Sequence, residues 1–216
     1  MRYEKGPGRW GSDPFRFSDD CGEVATSESR LSVEDVLDEL YRVAGKFHSA
    51  VCGRPSINLD TFMATPEHVR ELFEHYGADA DVCVVEGMMG LFDGYDRDRG
   101  SAAEIARVLN IPVVLVVDAK SAAYSMAALL SGFIHFRADV NIAGVIFNKV
   151  GSARHFNMLR QVCDDLHIRC FGYLPKSTDL EQGSRYLGLD FSEIAVPEQL
   201  LNLIEENIQW EELLKL

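Results

Sequence analysis

Apolar residues follow two alternating rhythms along this chain. Short continuous runs at 82–85, 112–117 and 142–147 are built mainly from valine, isoleucine, leucine and phenylalanine. Such runs predict strands buried on both faces, as in a parallel sheet. Between them, apolar residues recur every three or four positions, the repeat of a helix with one buried face. The pattern predicts helices over 33–44, 66–75, 102–109, 122–135 and 154–166. It adds a short strand over 169–173 and a terminal helix or helix pair over 197–216. Ser32 with Asp35, and Thr65 ahead of Pro66, mark helix starts, because a hydroxyl cap or an early proline deals with unpaired N–H groups. The alternation implies an α/β fold, a mostly parallel sheet with helices on both faces.

Residues 1–30 break this pattern. They are rich in Gly, Pro, Ser, Asp and Arg, with no apolar run longer than two, and read as an extended or disordered head. The α/β domain is then expected over 31–216.

Composition narrows the function. The 216 residues are 47% hydrophobic and 25% charged, which suits one globular domain. A formal net charge of -13 argues against nucleic acid and against an anionic membrane surface as partners. No apolar stretch reaches the ~18 residues that a membrane-spanning helix needs, and the first residues lack the apolar core of a signal peptide. The five cysteines (Cys21, Cys52, Cys83, Cys163 and Cys170) are odd in number and show no CxxC spacing. They imply free thiols in a reducing, cytoplasmic setting. The six histidines have no zinc-site spacing.

Candidate chemistry gathers at strand ends. The run at 82–85 stops at Glu86, and three glycines follow, Gly87, Gly90 and Gly94, with Asp93 among them. Ligands in open α/β sheets bind at the carboxyl ends of strands, and glycines there let backbone approach a ligand. Two carboxylates at such an edge suit magnesium. A core strand followed by a polar glycine-rich loop reads equally well from spacing alone. Asp118 and Asn148 end two further strands, so three polar strand ends should line one edge of a parallel sheet. Asp118 reads as a cap for the helix after it, and Asn148 as either a turn residue or a site residue. Ser56, Asn58 and Asp60 fit a simple turn as well as a site.

These blocks together resemble cobyrinic acid a,c-diamide synthase. The match runs in order through GRPSINLD (53–60), EGMMGLFDG (86–94), SAAEIA (101–106), VVLVVD (113–118), GVIFNK (144–149), GYLPK (172–176) and RYLGL (185–189). It covers about residues 45–216. The resemblance implies the dethiobiotin-synthetase-like branch of P-loop NTPase folds. It implies a carbon–nitrogen ligase of cobalamin biosynthesis, with ATP and Mg2+ as cofactors. The corrin a and c carboxylates would be phosphorylated and then amidated with ammonia from glutamine. On the same resemblance, Glu86 is the magnesium-side acid and Asp93 lies near the reacting carboxylate. Ser56, Asn58 and Asp60 form the substrate-side motif. Gly87, Gly90, Asn148 and Pro175 belong to the nucleotide site, Asn148 reading the base.

The sequence departs from that family in two places. Nothing matches its first strand and glycine-rich loop ending in Gly-Lys-Thr; the nearest pair, Gly45-Lys46, is followed by Phe47. The family's two aspartates ahead of its Phe-His pair would fall at Tyr41 and Ala44. The fold is therefore expected to lack the first strand and the phosphate loop. Nor is there a counterpart of the family's glutamine amidotransferase domain before Leu216. Ammonia would then come from a domain this chain lacks, and a homodimer or a partner chain fits the open sheet edges. The alternative reading is a non-catalytic truncated remnant or subunit that does not bind ATP alone. A different dethiobiotin-synthetase-like enzyme is disfavoured by the block at 86–94.

Overall fold

A computed structural model describes residues 2–4, 49, 54–176 and 198–216. In chain order the elements are β1 (Arg2–Glu4), α1 (Pro66–Tyr76), β2 (Val82–Val84), α2 (Ala102–Leu109), β3 (Val113–Asp118) and α3 (Met126–Phe136). They continue with β4 (Ile142–Val150), α4 (Ala153–Asp165), β5 (Arg169–Pro175), α5 (Glu198–Asn207) and α6 (Trp210–Leu213). The chain divides into two compact units, the first holding β1 to α2 and the second β3 to α6. The α/β class read from the sequence holds: a parallel sheet is flanked by helices.

In the second unit the strands run in the order β3-β4-β5, all parallel. α4 packs on β4 and β5, α3 packs on α4, and α5 and α6 pack on β5. Val145, Phe147, Leu159, Val162 and Phe171 are fully or almost fully buried between these layers. The apolar runs become strands because both faces of the central strand lose their water. Gly172 is needed where the carboxyl-terminal helices dock. It has φ +124°, and an added methyl would overlap the Asn207 carbonyl. Next to it, the Gln209 N–H donates to the Phe171 carbonyl at 2.8 Å.

The first unit is built around two capped helices. The Thr65 side chain accepts from the His68 N–H at 3.3 Å, with Pro66 opening α1 as expected. The Ser101 side chain accepts from the Glu104 N–H at 3.3 Å, and α2 stops where Asn110 takes a left-handed conformation. Val69, Phe73, Ala103, Ile105 and Ala106 are buried as α1 and α2 meet. β2 pairs with β1 antiparallel, Tyr3 opposite Cys83. Thus Arg2–Glu4, within the head read as irregular, is strand.

Two expectations need correction. Asp118 and Asn148 are register partners at the carboxyl ends of β3 and β4, as predicted. The expected membership of β2 in that sheet is not seen among the described residues, where β2 pairs with β1. Asp118 also caps no helix. Its carboxylate accepts from the Lys120 N–H two residues on, and residues 119–125 form turns that delay α3 until Met126. The helix expected over 33–44, Cys21, Cys52 and the block at 185–189 lie outside the described residues.

Candidate functional site

The first unit brings two of the predicted motifs together. One is the segment 54–64. Arg54 clamps Asp79 through two N–H···O contacts of 2.8 and 3.1 Å, which ties the segment to the loop before β2. Ser56 is buried, its N–H donating to Ser49 Oγ at 3.0 Å, and Leu59 is fully buried. These anchors leave Asn58 and Asp60 half-buried above them. Asp60 Oδ1 accepts from the Phe62 N–H at 2.6 Å, and its carbonyl accepts from the Ala64 N–H at 3.1 Å. Burial raises the Asp60 carboxyl above the usual range, and bonds from the Phe62 and Met63 N–H groups offset part of that.

The other motif is the loop from Glu86 to Gly100. Glu86, Gly87, Gly90 and Asp93 are all exposed. The loop folds on itself: the Asp93 N–H donates to the Gly90 carbonyl at 2.9 Å, and the Tyr95 N–H to the Arg99 carbonyl at 3.0 Å. A methyl at Gly90 would overlap the Asp93 carboxylate, so this glycine lets the acid fold back over the backbone. The lower end of the loop is fixed by Asp98, which pairs with Arg107 at 2.8 Å in a half-buried contact.

One carboxylate fastens these motifs to each other. Glu104 Oε2 accepts from Thr61 Oγ1 at 2.6 Å and from the Gly100 N–H at 2.5 Å. Above this tether the Phe62 and Tyr95 rings meet edge-on, centroids 5.0 Å apart, and the Arg99 guanidinium stands 5.4 Å over the Tyr95 ring. Phe62 is 63% exposed, and Met63, Met88, Met89 and Tyr95 are exposed as well. An exposed apolar cluster next to acids and a guanidinium is a place to bind a ligand that is apolar on its face and charged on its rim. Sequence reasoning missed Glu104, Phe62 and Tyr95. The Ser-x-x-Glu spacing of 101–104 was visible as a capping box, but nothing local says that this glutamate reaches Thr61.

The second unit holds the other two predicted residues, Asn148 and Pro175. Val150 is the register partner of Pro175, and Asn148 that of Asp118, so both residues sit at the carboxyl edge. Register slips between Phe147 and Val150, where Lys149 adopts φ +57°. This bulge re-aims the strand end. The Asn148 side chain accepts from the Lys149 N–H at 2.8 Å, and Lys149 Nζ reaches Asp118 at 2.7 Å. Lys149 and the Lys120 N–H hold the Asp118 carboxyl below its usual range. His155 closes the same edge. Its Nδ1 accepts from the Gly151 N–H, so its Nε2 donates to the Ala122 carbonyl in a short contact.

As to metal, no group of three or more His, Cys, Asp or Glu side chains is arranged to hold an ion among the described residues. Glu86 therefore fits magnesium only as one carboxylate beside ligands from a phosphate. No Gly-Lys-Thr sequence occurs among the described residues. No helix among them is long and apolar enough to cross a membrane.

A parallel sheet flanked by helices, with polar residues at its strand ends, defines an α/β domain, and the comparisons agree with that class. Residues 55–184 match the family described as AAA domain, and the chain belongs to it. Over 145 residues it is 51% identical to the cobyrinate a,c-diamide synthase of Caldanaerobacter subterraneus subsp. tengcongensis, covering 66% of this chain and 32% of that protein. It is 44% identical over 149 residues to the hydrogenobyrinate a,c-diamide synthase of Mycobacterium tuberculosis, covering 66% and 33%. With the cobyrinate a,c-diamide synthase of Listeria innocua it shares 38% identity over 179 residues, covering 79% and 40%. The chain thus spans between a third and two fifths of the length of these relatives.

Proposed function

We propose that this chain carries the part of a corrin a,c-diamide synthase that receives the substrate carboxylates and presents them for activation. The observation that carries this reading is the tether in the first unit, where Glu104 joins the Asp60 segment to the Asp93 loop beneath an exposed aromatic pair. A corrin has an apolar ring and a rim of carboxylates. Phe62 and Tyr95 suit the ring, and Arg99, which also pairs with Asp96 at 3.7 Å, offers its remaining guanidinium N–H groups to a rim carboxylate. Asp60, half-buried with its carboxylate held by the Phe62 N–H, is placed on the same segment to face the substrate. Ser56 and Asn58 hold and extend that segment.

Amidation needs a carboxylate oxygen turned into a leaving group. ATP with Mg2+ supplies the phosphoryl group and neutralises its charge. In this reading Glu86 would hold the magnesium, and Asp93 would orient the reacting carboxylate. Gly87 and Gly90 let backbone approach the phosphates. Asn148 and Pro175, at the carboxyl edge of the other sheet, read and flank the base. Ammonia then adds to the acyl carbon and phosphate leaves. Glutamine is the proposed source of that ammonia, through an amidotransferase domain of the kind the family carries. Relatives named for cobyrinate and for hydrogenobyrinate both match, and the proposal covers either ring.

A second reading, substrate binding without phosphoryl transfer, is favoured by the lack of a Gly-Lys-Thr loop in the sequence. One assay separates the two. The chain is incubated with cobyrinic acid, Mg-ATP and free ammonium, and products are read by mass spectrometry. Amide formation that Asp93→Asn lowers at least a hundredfold supports the synthase reading. Saturable corrin binding without amide supports the second, and neither binding nor product overturns both.

A further inference from the structure

The loop that carries Asp93 and Tyr95 closes in a four-residue turn, Asp96-Arg97-Asp98-Arg99. Asp96 and Arg99 pair across it, and the Arg99 N–H donates to the Asp96 carbonyl at 3.1 Å. A second bond, from the Gly94 N–H to the Arg97 carbonyl at 2.8 Å, folds the turn back on the loop. Gly94 is required for this, because an added methyl would overlap the Arg99 carbonyl. Asp98 holds the base of the turn: its carboxylate meets Arg107 at 2.8 Å, and its carbonyl accepts from Ser101 Oγ at 2.7 Å. At the other end, the Arg99 guanidinium stands over the Tyr95 ring.

The tip of this turn breaks a local rule. Arg97 has φ +58°. Turns that join paired residues in this way take a positive φ at the first central position, and glycine meets that need without steric penalty. An arginine held there lowers the stability of the fold. No contact within the described residues offsets that loss. The Arg97 side chain is exposed and meets no acid among them. Its neighbours are engaged elsewhere, Asp98 with Arg107 and Asp96 with Arg99 at 3.7 Å. Backbone strain without an internal interaction to show for it points to a role toward a ligand.

The charge pattern narrows that role. From Glu86 to Gly100 the chain carries four acids, Glu86, Asp93, Asp96 and Asp98, and two cations, Arg97 and Arg99. A polycarboxylate approaching this loop is repelled by Glu86 and Asp93, both exposed, while Arg99 is shared with Asp96. Arg97 is the cation without such a partner, and its planar fork of N–H donors fits a carboxylate at two points. We propose that Arg97 is a specificity-determining residue, held in a left-handed turn to grip a rim carboxylate of the bound corrin. This assignment rests on the corrin reading of the first unit.

The test is titration of the purified chain with cobyrinic acid, followed by the absorption of the ring, beside urea unfolding. Arg97→Gly removes the fork and suits the backbone. It is expected to weaken binding about fivefold or more at low salt, with an unchanged or higher urea midpoint. The advantage of the arginine should shrink as sodium chloride rises from about 0.05 to 0.5 M. The proposal is overturned if Arg97→Gly binds as tightly as the unmodified chain, if the difference ignores salt, or if weaker binding comes with a lower midpoint. Should the unmodified chain show no saturable binding, the corrin reading falls and this assignment with it. Saturable binding that Arg97→Gly leaves intact removes this assignment alone.

Discussion

Asp60 and Asp118 show how one residue type is given opposite tasks. Burial raises Asp60, so the folded chain holds its proton more tightly than the unfolded chain. Its contribution to stability is complete below the unfolded pKa and is lost as pH rises through the folded value. Asp60→Asn, which keeps an oxygen for the Phe62 N–H, should raise the urea midpoint at neutral pH. The gain should vanish below the carboxylate range. Asp118 has the opposite sign: Lys149 depresses its pKa, so its contribution is present above the unfolded pKa and fades as pH falls through the folded one. The pair is exposed, and the expected consequence of Lys149→Met is a higher Asp118 titration midpoint by carboxyl NMR, with little change in stability.

At the scale of elements, caps and ties decide where the site loops sit. Ser101 is fully buried, caps α2 and donates to the Asp98 carbonyl at 2.7 Å. Ser101→Ala should cost about 1–2 kcal/mol in urea unfolding, and should loosen the Gly100–Glu104 contact. His155→Ala removes the partner of the Gly151 N–H and the Ala122 carbonyl, and is expected to cost about 1–3 kcal/mol by the same measurement. Most helix and strand positions were legible in the sequence because each rests on local signals: Thr65-Pro66 at a start, apolar residues at helical spacing, and apolar runs for strands. The start of α3 was not, because its delay depends on turns made by Ala119, Ser121 and Ala122 rather than on apolar spacing. The pairing of β2 with β1 was not either, since a short apolar run does not say which edge it meets. Glu86, Asp93 and Asp60 stood out in the sequence as candidates through their motifs, whereas the Glu104 tether joins residues 43 positions apart.

For the whole molecule, the two units differ in what holds them together. The second is held by a conventional core, and Phe147→Ala there should cost about 3–5 kcal/mol in denaturant unfolding, since the ring is fully buried. The first places Asp60, Asp93, the aromatic pair and Arg99 on one pair of tethered loops, which the proposed function makes the place where a carboxylated corrin is recognised. Titration of the purified chain with cobyrinic acid, followed by the visible absorption of the ring, tests this most directly. The account predicts saturable binding, weakened about tenfold or more by Tyr95→Ala and by Arg99→Gln, a loss of about 1.4 kcal/mol, and unchanged by Lys215→Met. Absence of saturable binding, or equal binding by all of these variants, would contradict it.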